Sequence, residues 1–128
     1  MQTKIKITLP GSIRSKKNSK IATIIGGVNK PRRAMILSSK AYRAWEKQAR
    51  QHAACQYPGE PITDPVAVKA TIYYKGQMPD LSGSLESVGD CLQGLVYDDD
   101  KLIESWDGSR RYKDNKNPRT EVEVVRYE

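Results

Sequence analysis

The chain has 128 residues, 38% of them apolar and 29% charged, which suits one domain with one hydrophobic core. Net charge is +7 and the isoelectric point about 9.5. No apolar run approaches the roughly 20 residues that cross a bilayer, and the N-terminus lacks a signal-peptide core, so we expect a cytoplasmic protein with no membrane partner.

Cys55 and Cys91 lie far apart and His52 is the one histidine. That excludes a standard zinc cluster and leaves free, partly buried thiols. The charge is uneven: residues 1–55 carry thirteen Lys/Arg against one acid, Glu46, whereas residues 56–128 carry nine against fourteen. A basic half suits a polyanion, most often nucleic acid.

Taken in chain order, residues 3–9 alternate strictly, with Ile5, Ile7 and Leu9 on one face, and predict a half-buried strand ended by Pro10-Gly11. Residues 12–37 hold two basic clusters around short extended runs at Ile21–Ile25 and Ala34–Leu37. They read as a mobile basic hairpin or pair of loops, which fits a solvated loop or, with one short hairpin between the two clusters, a phosphate clamp. Ser38 and Ser39 can cap a helix running from Lys40 to about Cys55. Ala41, Trp45, Ala49 and His52-Ala53 fall on or near one face of it, with Tyr42 beside them, and cations cover most of the rest. Trp45 reads as core and His52 as a helix-face residue rather than a ligand.

Tyr57–Pro65 holds three prolines and a glycine and reads as a loop; Val66–Lys75 alternates as a strand. Ser84 to about Gln93 predicts a second helix with the stripe Leu81, Leu85, Val88 and Leu92, stopped at Gly94. Leu102–Trp106 reads as a short strand, Asp107–Pro118 as a polar turn region, and Thr120–Tyr127 as a last strand with Val122 and Val124 inward. The whole predicts a single α+β domain over residues 1–128, a mixed β-sheet packed with two helices.

Within this basic chain, acids concentrate in Pro79–Asp100: Asp80 at a turn, Glu86 and Asp90 four residues apart on one helix face, then Asp98-Asp99-Asp100. Hydrolysis of a phosphodiester needs an activated water and stabilisation of charge on the phosphate, and convergent carboxylates supply both by holding Mg²⁺. The same acids also fit a solvated turn and an outer helix face, since no short spacing rule identifies a magnesium site.

Between these residues and the N-terminus, the sequence resembles the RusA family of Holliday-junction resolvases, often carried by phages and prophages. Asp80-Leu81, Asp90-Cys91-Leu92 and Asp99-Asp100 with Ile103 match the family's acidic motifs, and Gly94-Leu95-Val96-Tyr97 fits the link between them. Ile7-Thr8-Leu9-Pro10, Ser15-Lys16-Lys17-Asn18 and Tyr42-Arg43-Ala44-Trp45 are similar to its first strand, polar loop and first helix. The resemblance implies a homodimer that grips a four-way DNA junction and nicks it symmetrically with Mg²⁺ or Mn²⁺. It implies metal ligation by Asp80, Asp99 and Asp100, with Asp80 and Asp100 catalytic and Asp90 in support.

Three positions depart from the pattern: Ser82 stands where the family has its second aspartate, Gly83 where it has an asparagine, and Glu86 where it has its active-site lysine. Glu86, one helical turn beyond Ser82, can reach back toward the missing carboxylate; on that reading it is a catalytic residue and metal ligand, with Ser82 supporting it. Alternatively the site has decayed and the protein binds branched DNA without cutting it. A more remote reading is a small basic protein whose acids are only surface and whose partner is another protein. Expected DNA contacts are Arg14, Lys16, Lys17, Asn18, Lys20, Lys30, Arg32, Arg33 and Lys101, with Arg110 and Arg111 as further cations.

Overall fold

The computed structural model describes residues 2–15, 20–25, 33–38 and 40–127, with only the backbone course given for 20–25 and 33–38. Its strands are β1 (Gln2–Pro10), β2 (Lys20–Ile25), β3 (Arg33–Ser38), β4 (Val66–Tyr74), β5 (Ile103–Ser105), β6 (Arg110–Lys113) and β7 (Arg119–Tyr127). Two α-helices, α1 (Lys40–Gln56) and α2 (Leu81–Leu92), and one 3-10 turn, Asp100–Leu102, complete the element order. The α+β expectation with two helices on a mixed sheet is met. No helix among the described residues is long and apolar enough to cross a membrane.

The main sheet runs β1-β7-β4, antiparallel, with β5 and β6 both parallel to β4 on its far edge. Register explains why the period-two strands were readable. Ile5–Val124–Val68, Ile7–Val122–Ala70 and Leu9–Thr120–Ile72 form rows across three strands, and nearly every member is buried. A shift by one residue would turn those side chains to solvent. The opposite face carries the row Lys6–Glu123–Lys69, tied by ion pairs of 3.9 and 3.2 Å. β2 and β3 pair separately as an antiparallel two-stranded sheet.

Helix α1 buries Tyr42, Trp45, Ala49 and Ala53, four positions that recur every three or four residues. At its end the Gln56 amide accepts from Thr8 N and donates to Thr8 O, each at 2.7 Å. One side chain thus pairs part of the open edge of β1, where an unpaired ladder would otherwise meet water. Ala41 and His52, expected on or near the apolar face, are exposed instead, because the buried stripe runs through Tyr42, Trp45, Ala49 and Ala53. Of the two thiols, Cys55 is exposed and Cys91 fully buried, rather than both partly buried.

Three boundaries differ from expectation. Helix α2 starts at Leu81, not Ser84, because Asp80 caps it. The segment Asp107–Pro118 contains β6, whose Arg-Arg-Tyr-Lys sequence has no apolar alternation; backbone pairing with the β4 edge creates it. The strand expected at Leu102–Trp106 is shortened to β5 because Asp100–Leu102 winds into the 3-10 turn.

Arg50, expected on the solvated side of α1, instead donates from Nη1 to Cys91 O (2.7 Å) and Gln93 O (3.0 Å). A cation on the last carbonyls of α2 satisfies acceptors that the helix leaves open and complements its dipole. Arg50→Ala should therefore cost about 1–2 kcal/mol. Urea unfolding should show this as a lower midpoint with an unchanged m value.

Candidate active site

Helix α2 organises the site, and its small residues decide how. Asp80 Oδ2 accepts from Gly83 N (3.0 Å) and Ser82 Oγ (3.1 Å), while Asp80 O accepts from Ser84 N (3.0 Å) and Ser84 Oγ (2.8 Å). Asp80 is thus an N-cap that satisfies donors of the first turn. Its Oδ1 has no partner among the described residues. Ser87 Oγ donates to Gly83 O (3.1 Å) and to Arg14 O (2.8 Å), fastening the segment after β1 to the helix. Gly83 faces the buried Ser15, whose Oγ occupies the place a Cβ would take. Gly89 differs: a Cβ there would meet Trp106 Cζ2 at 3.6 Å and Ile103 Cδ1 at 3.7 Å, ordinary contacts that need no glycine.

The other end of α2 is joined to the acidic turn by a fixed link. Gly94 turns the chain at φ +81°, a left-handed conformation suited to glycine after a helix. Tyr97, fully buried, donates its hydroxyl to Gly89 O at 2.7 Å. The three consecutive acids then take different places. Asp98 is exposed, with its N donating to Ile62 O at 2.9 Å. Asp99 caps the 3-10 turn, accepting from Lys101 N at 3.0 Å, and its Oδ2 lies 3.9 Å from Lys101 Nζ. Asp100 is held by Gln93 Oε1, which accepts from its N at 3.1 Å.

The Asp100 carboxyl sits within hydrogen-bonding reach of both Asp90 and Asp99. Desolvation first, and then the like charges of Asp90 and Asp99, raise its pKa above the ordinary aspartate value. Asp100 also lines a groove of about 360 Å³ with Ser82, Leu85, Glu86, Gly89, Ile103 and Trp106. Glu86 is exposed there, four residues from Ser82 on one side and from Asp90 on the other. Ser82 and Glu86, where the family has an aspartate and a lysine, therefore share one groove with Asp100. Asp80 lies at the opposite end of α2, about 15 Å from Asp90 by helical rise, and lines a different cleft.

Neighbouring Cys91 takes no part in this chemistry: it is fully buried, and desolvation pushes its thiol up to about 12, where it stays protonated. Asp90 is the residue whose place the sequence underrated. Its spacing from Glu86 was visible, but its approach to Asp100 depends on the Gly94–Tyr97 link. Arg111, noted only as a further cation, donates to Pro79 O at 2.9 Å and so steadies the chain entering Asp80. Among the expected DNA contacts, Arg14 and Lys101 are described and exposed. Lys16, Lys17, Asn18, Lys30 and Arg32 lie outside the described residues, as do the side chains of Lys20 and Arg33.

The donor set suits a hard divalent cation. Its members are carboxylate oxygens, Asp80 Oδ1 has no partner among the described residues, and the repulsion on Asp100 is what a bound cation would offset. Among the described residues, no three acids, thiols or imidazoles close round a point that could hold a metal ion. The carboxylates form a track along α2 instead.

A family model described as Endodeoxyribonuclease RusA matches residues 10–125. None of the curated proteins matches the chain.

Proposed function

Because the chain belongs to the RusA family of endodeoxyribonucleases, we propose that it resolves four-way DNA junctions by paired symmetric nicks, using Mg²⁺ or Mn²⁺. The observation that carries the catalytic part is the Asp100 carboxyl, pressed against Asp90 and Asp99 in a groove shared with Ser82 and Glu86. Carboxylates kept together against their own repulsion suit a site that works with a cation bound.

In this reading Asp80, Glu86 and Asp100 are the catalytic carboxylates, and Asp80, Glu86, Asp99 and Asp100 would hold metal along the track, with Asp80 at the first turn of α2 and Asp99 and Asp100 beyond its far end, too far apart here to share one ion. When bound, the metal would supply an activated water and a counter-charge for the phosphate. Glu86 replaces the carboxylate absent at Ser82, since its neighbours one turn away on α2 are Ser82 and Asp90. Asp90 positions Asp100, and the Ser82 hydroxyl orients Asp80. The cap bonds to Asp80 Oδ2 leave Oδ1 directed by the first turn of α2. Phosphate contacts from Arg14, Lys101 and the basic residues between 16 and 33 place the strand, while branched shape gives selectivity. A homodimer supplies the symmetry, one nick from each subunit.

A second reading is favoured by one observation: position 82 offers only a hydroxyl, and that hydroxyl is used on Asp80. The protein would then hold branched DNA without cutting it.

A labelled four-way junction incubated with Mg²⁺ or Mn²⁺, beside a linear duplex, separates the two. Symmetric cleavage is expected, and Glu86→Gln should lower its rate by about a hundredfold, in the range for losing a positioned acid or base. Full activity in Glu86→Gln would remove Glu86 from the site. Junction-selective binding with no cleavage would establish the second reading.

A further inference from the structure

A second cleft, of about 410 Å³, lies between the segments 12–15 and 75–80 and reaches Asp80. Its walls are fixed by their backbones. Ser12 Oγ accepts from Lys75 N (3.2 Å), Ser87 Oγ donates to Arg14 O (2.8 Å), Asn115 Oδ1 accepts from Gly76 N (3.0 Å), and Arg111 Nη1 donates to Pro79 O (2.9 Å). On this pinned frame the side chains of Arg14, Lys75 and Met78 are exposed. Lys69, Arg119 and Arg126 are taken up in ion pairs. The Arg14 and Lys75 side chains, by contrast, have no partner among the described residues. Met78 is 57% exposed, more than Tyr112, the other exposed large hydrophobic among the described residues.

The chemistry of a strand approaching Asp80 explains this combination. The neighbouring groove presents Glu86 and Asp100, with Asp90 and Asp99 behind them, and that charge repels a phosphodiester. Two cations with no partner among the described residues line the cleft with Asp80 and offset the repulsion on a strand that enters there. An arginine offers planar paired donors to phosphate oxygens and a lysine a point charge. An exposed thioether on the rim suits the apolar face of a base, as in proteins that press Met or Leu against base steps.

We infer that this cleft is a nucleotide subsite for the strand that reaches Asp80. Arg14 and Lys75 hold its phosphate, and Met78 packs on the adjoining base. The inference rests on the nuclease reading for its substrate and adds Lys75 and Met78 to the residues that contact DNA.

The test is junction binding by the full chain in EDTA, over a series of salt concentrations. Arg14→Gln/Lys75→Gln should flatten the slope of log K against log[salt] by about 1.5–2, close to one unit for each cation withdrawn from a phosphate. Arg14→Lys/Lys75→Arg should restore it. Met78→Ala should weaken binding about threefold to tenfold at every salt concentration with the slope unchanged, as loss of a partly buried apolar side chain does. Lys47→Gln, an exposed change on α1, should leave both quantities as they are.

An unchanged slope in the double variant overturns the phosphate contacts, as does an equal change in Lys47→Gln. Unchanged affinity in Met78→Ala overturns the base contact. Cleavage by the unaltered protein with Mg²⁺ is read in parallel. Predicted slope changes without cleavage would retain the subsite and refute the nuclease. Cleavage with an unchanged slope would do the reverse, and no salt-dependent binding at all would refute both.

Discussion

Asp100→Asn should reduce junction cleavage by at least about a hundredfold and yet give a protein at least as stable as the original. The loss follows from Asp100 being the acid on which the groove converges, with Asp90 and Asp99 against it. The stability gain follows from the same contact. Desolvation and two like charges hold the Asp100 carboxyl above the ordinary aspartate value, so the folded state binds its proton more tightly than the unfolded chain does. The ionised carboxylate therefore weakens the fold at neutral pH, and the penalty fades as pH falls through the raised folded value toward the unfolded one. The side chain is exposed and solvent screens it, so the gain in Asp100→Asn is modest, roughly 0.3 kcal/mol. Melting curves of both proteins should differ at neutral pH and converge in acid. A variant less stable at neutral pH would show that the three carboxylates are not in repulsion. Loss of cleavage alongside a preserved melting curve would assign the defect to chemistry rather than folding.

Gly83→Ala should be the most damaging single methyl group in the site region. A Cβ at position 83 would collide with Ser15 Oγ and lie 3.1 Å from both Ser15 Cβ and Asp80 Oδ2. Rotating the serine hydroxyl relieves the first contact but not the other two. Overpacking of this kind costs about 1–3 kcal/mol, whereas the better helix propensity of alanine returns at most about 1 kcal/mol. Destabilisation should win, with a melting point lower by several degrees. Because the displaced groups are Ser15 and the capping carboxylate, cleavage should fall along with stability. Adding Ser15→Gly should restore most of the melting temperature, since it removes the colliding atoms. No recovery in the double variant would place the strain elsewhere.

Much of the fold could be read from local pattern. Strands β1, β4 and β7 alternate because one face of each lies in the rows Ile7–Val122–Ala70 and Leu9–Thr120–Ile72, and alternation is a property of a few adjacent residues. Helix α1 was readable for the same reason. The start of α2 was misread because Ser82, Gly83 and Ser84 are weak helix formers. What overrides them is the Asp80 cap and the close approach of Ser15, contacts with a residue some seventy positions away. β6 left no trace in its apolar pattern, since pairing with β4 makes it a strand.

The acids divide along the same line. Composition and helical spacing, both local, already gather the carboxylates between Asp80 and Asp100. The sequence also exposed the exchanges at Ser82 and Glu86, which a motif displays directly. Which of these acids meet depends on long-range contacts. The left-handed turn at Gly94 and the Tyr97 hydroxyl on Gly89 O lead the chain back along α2 and set Asp100 against Asp90. Asp80 is held a helix length away, beside Arg14 and Lys75. Meetings of this kind depend on how a loop closes, and neither composition nor period carries that information.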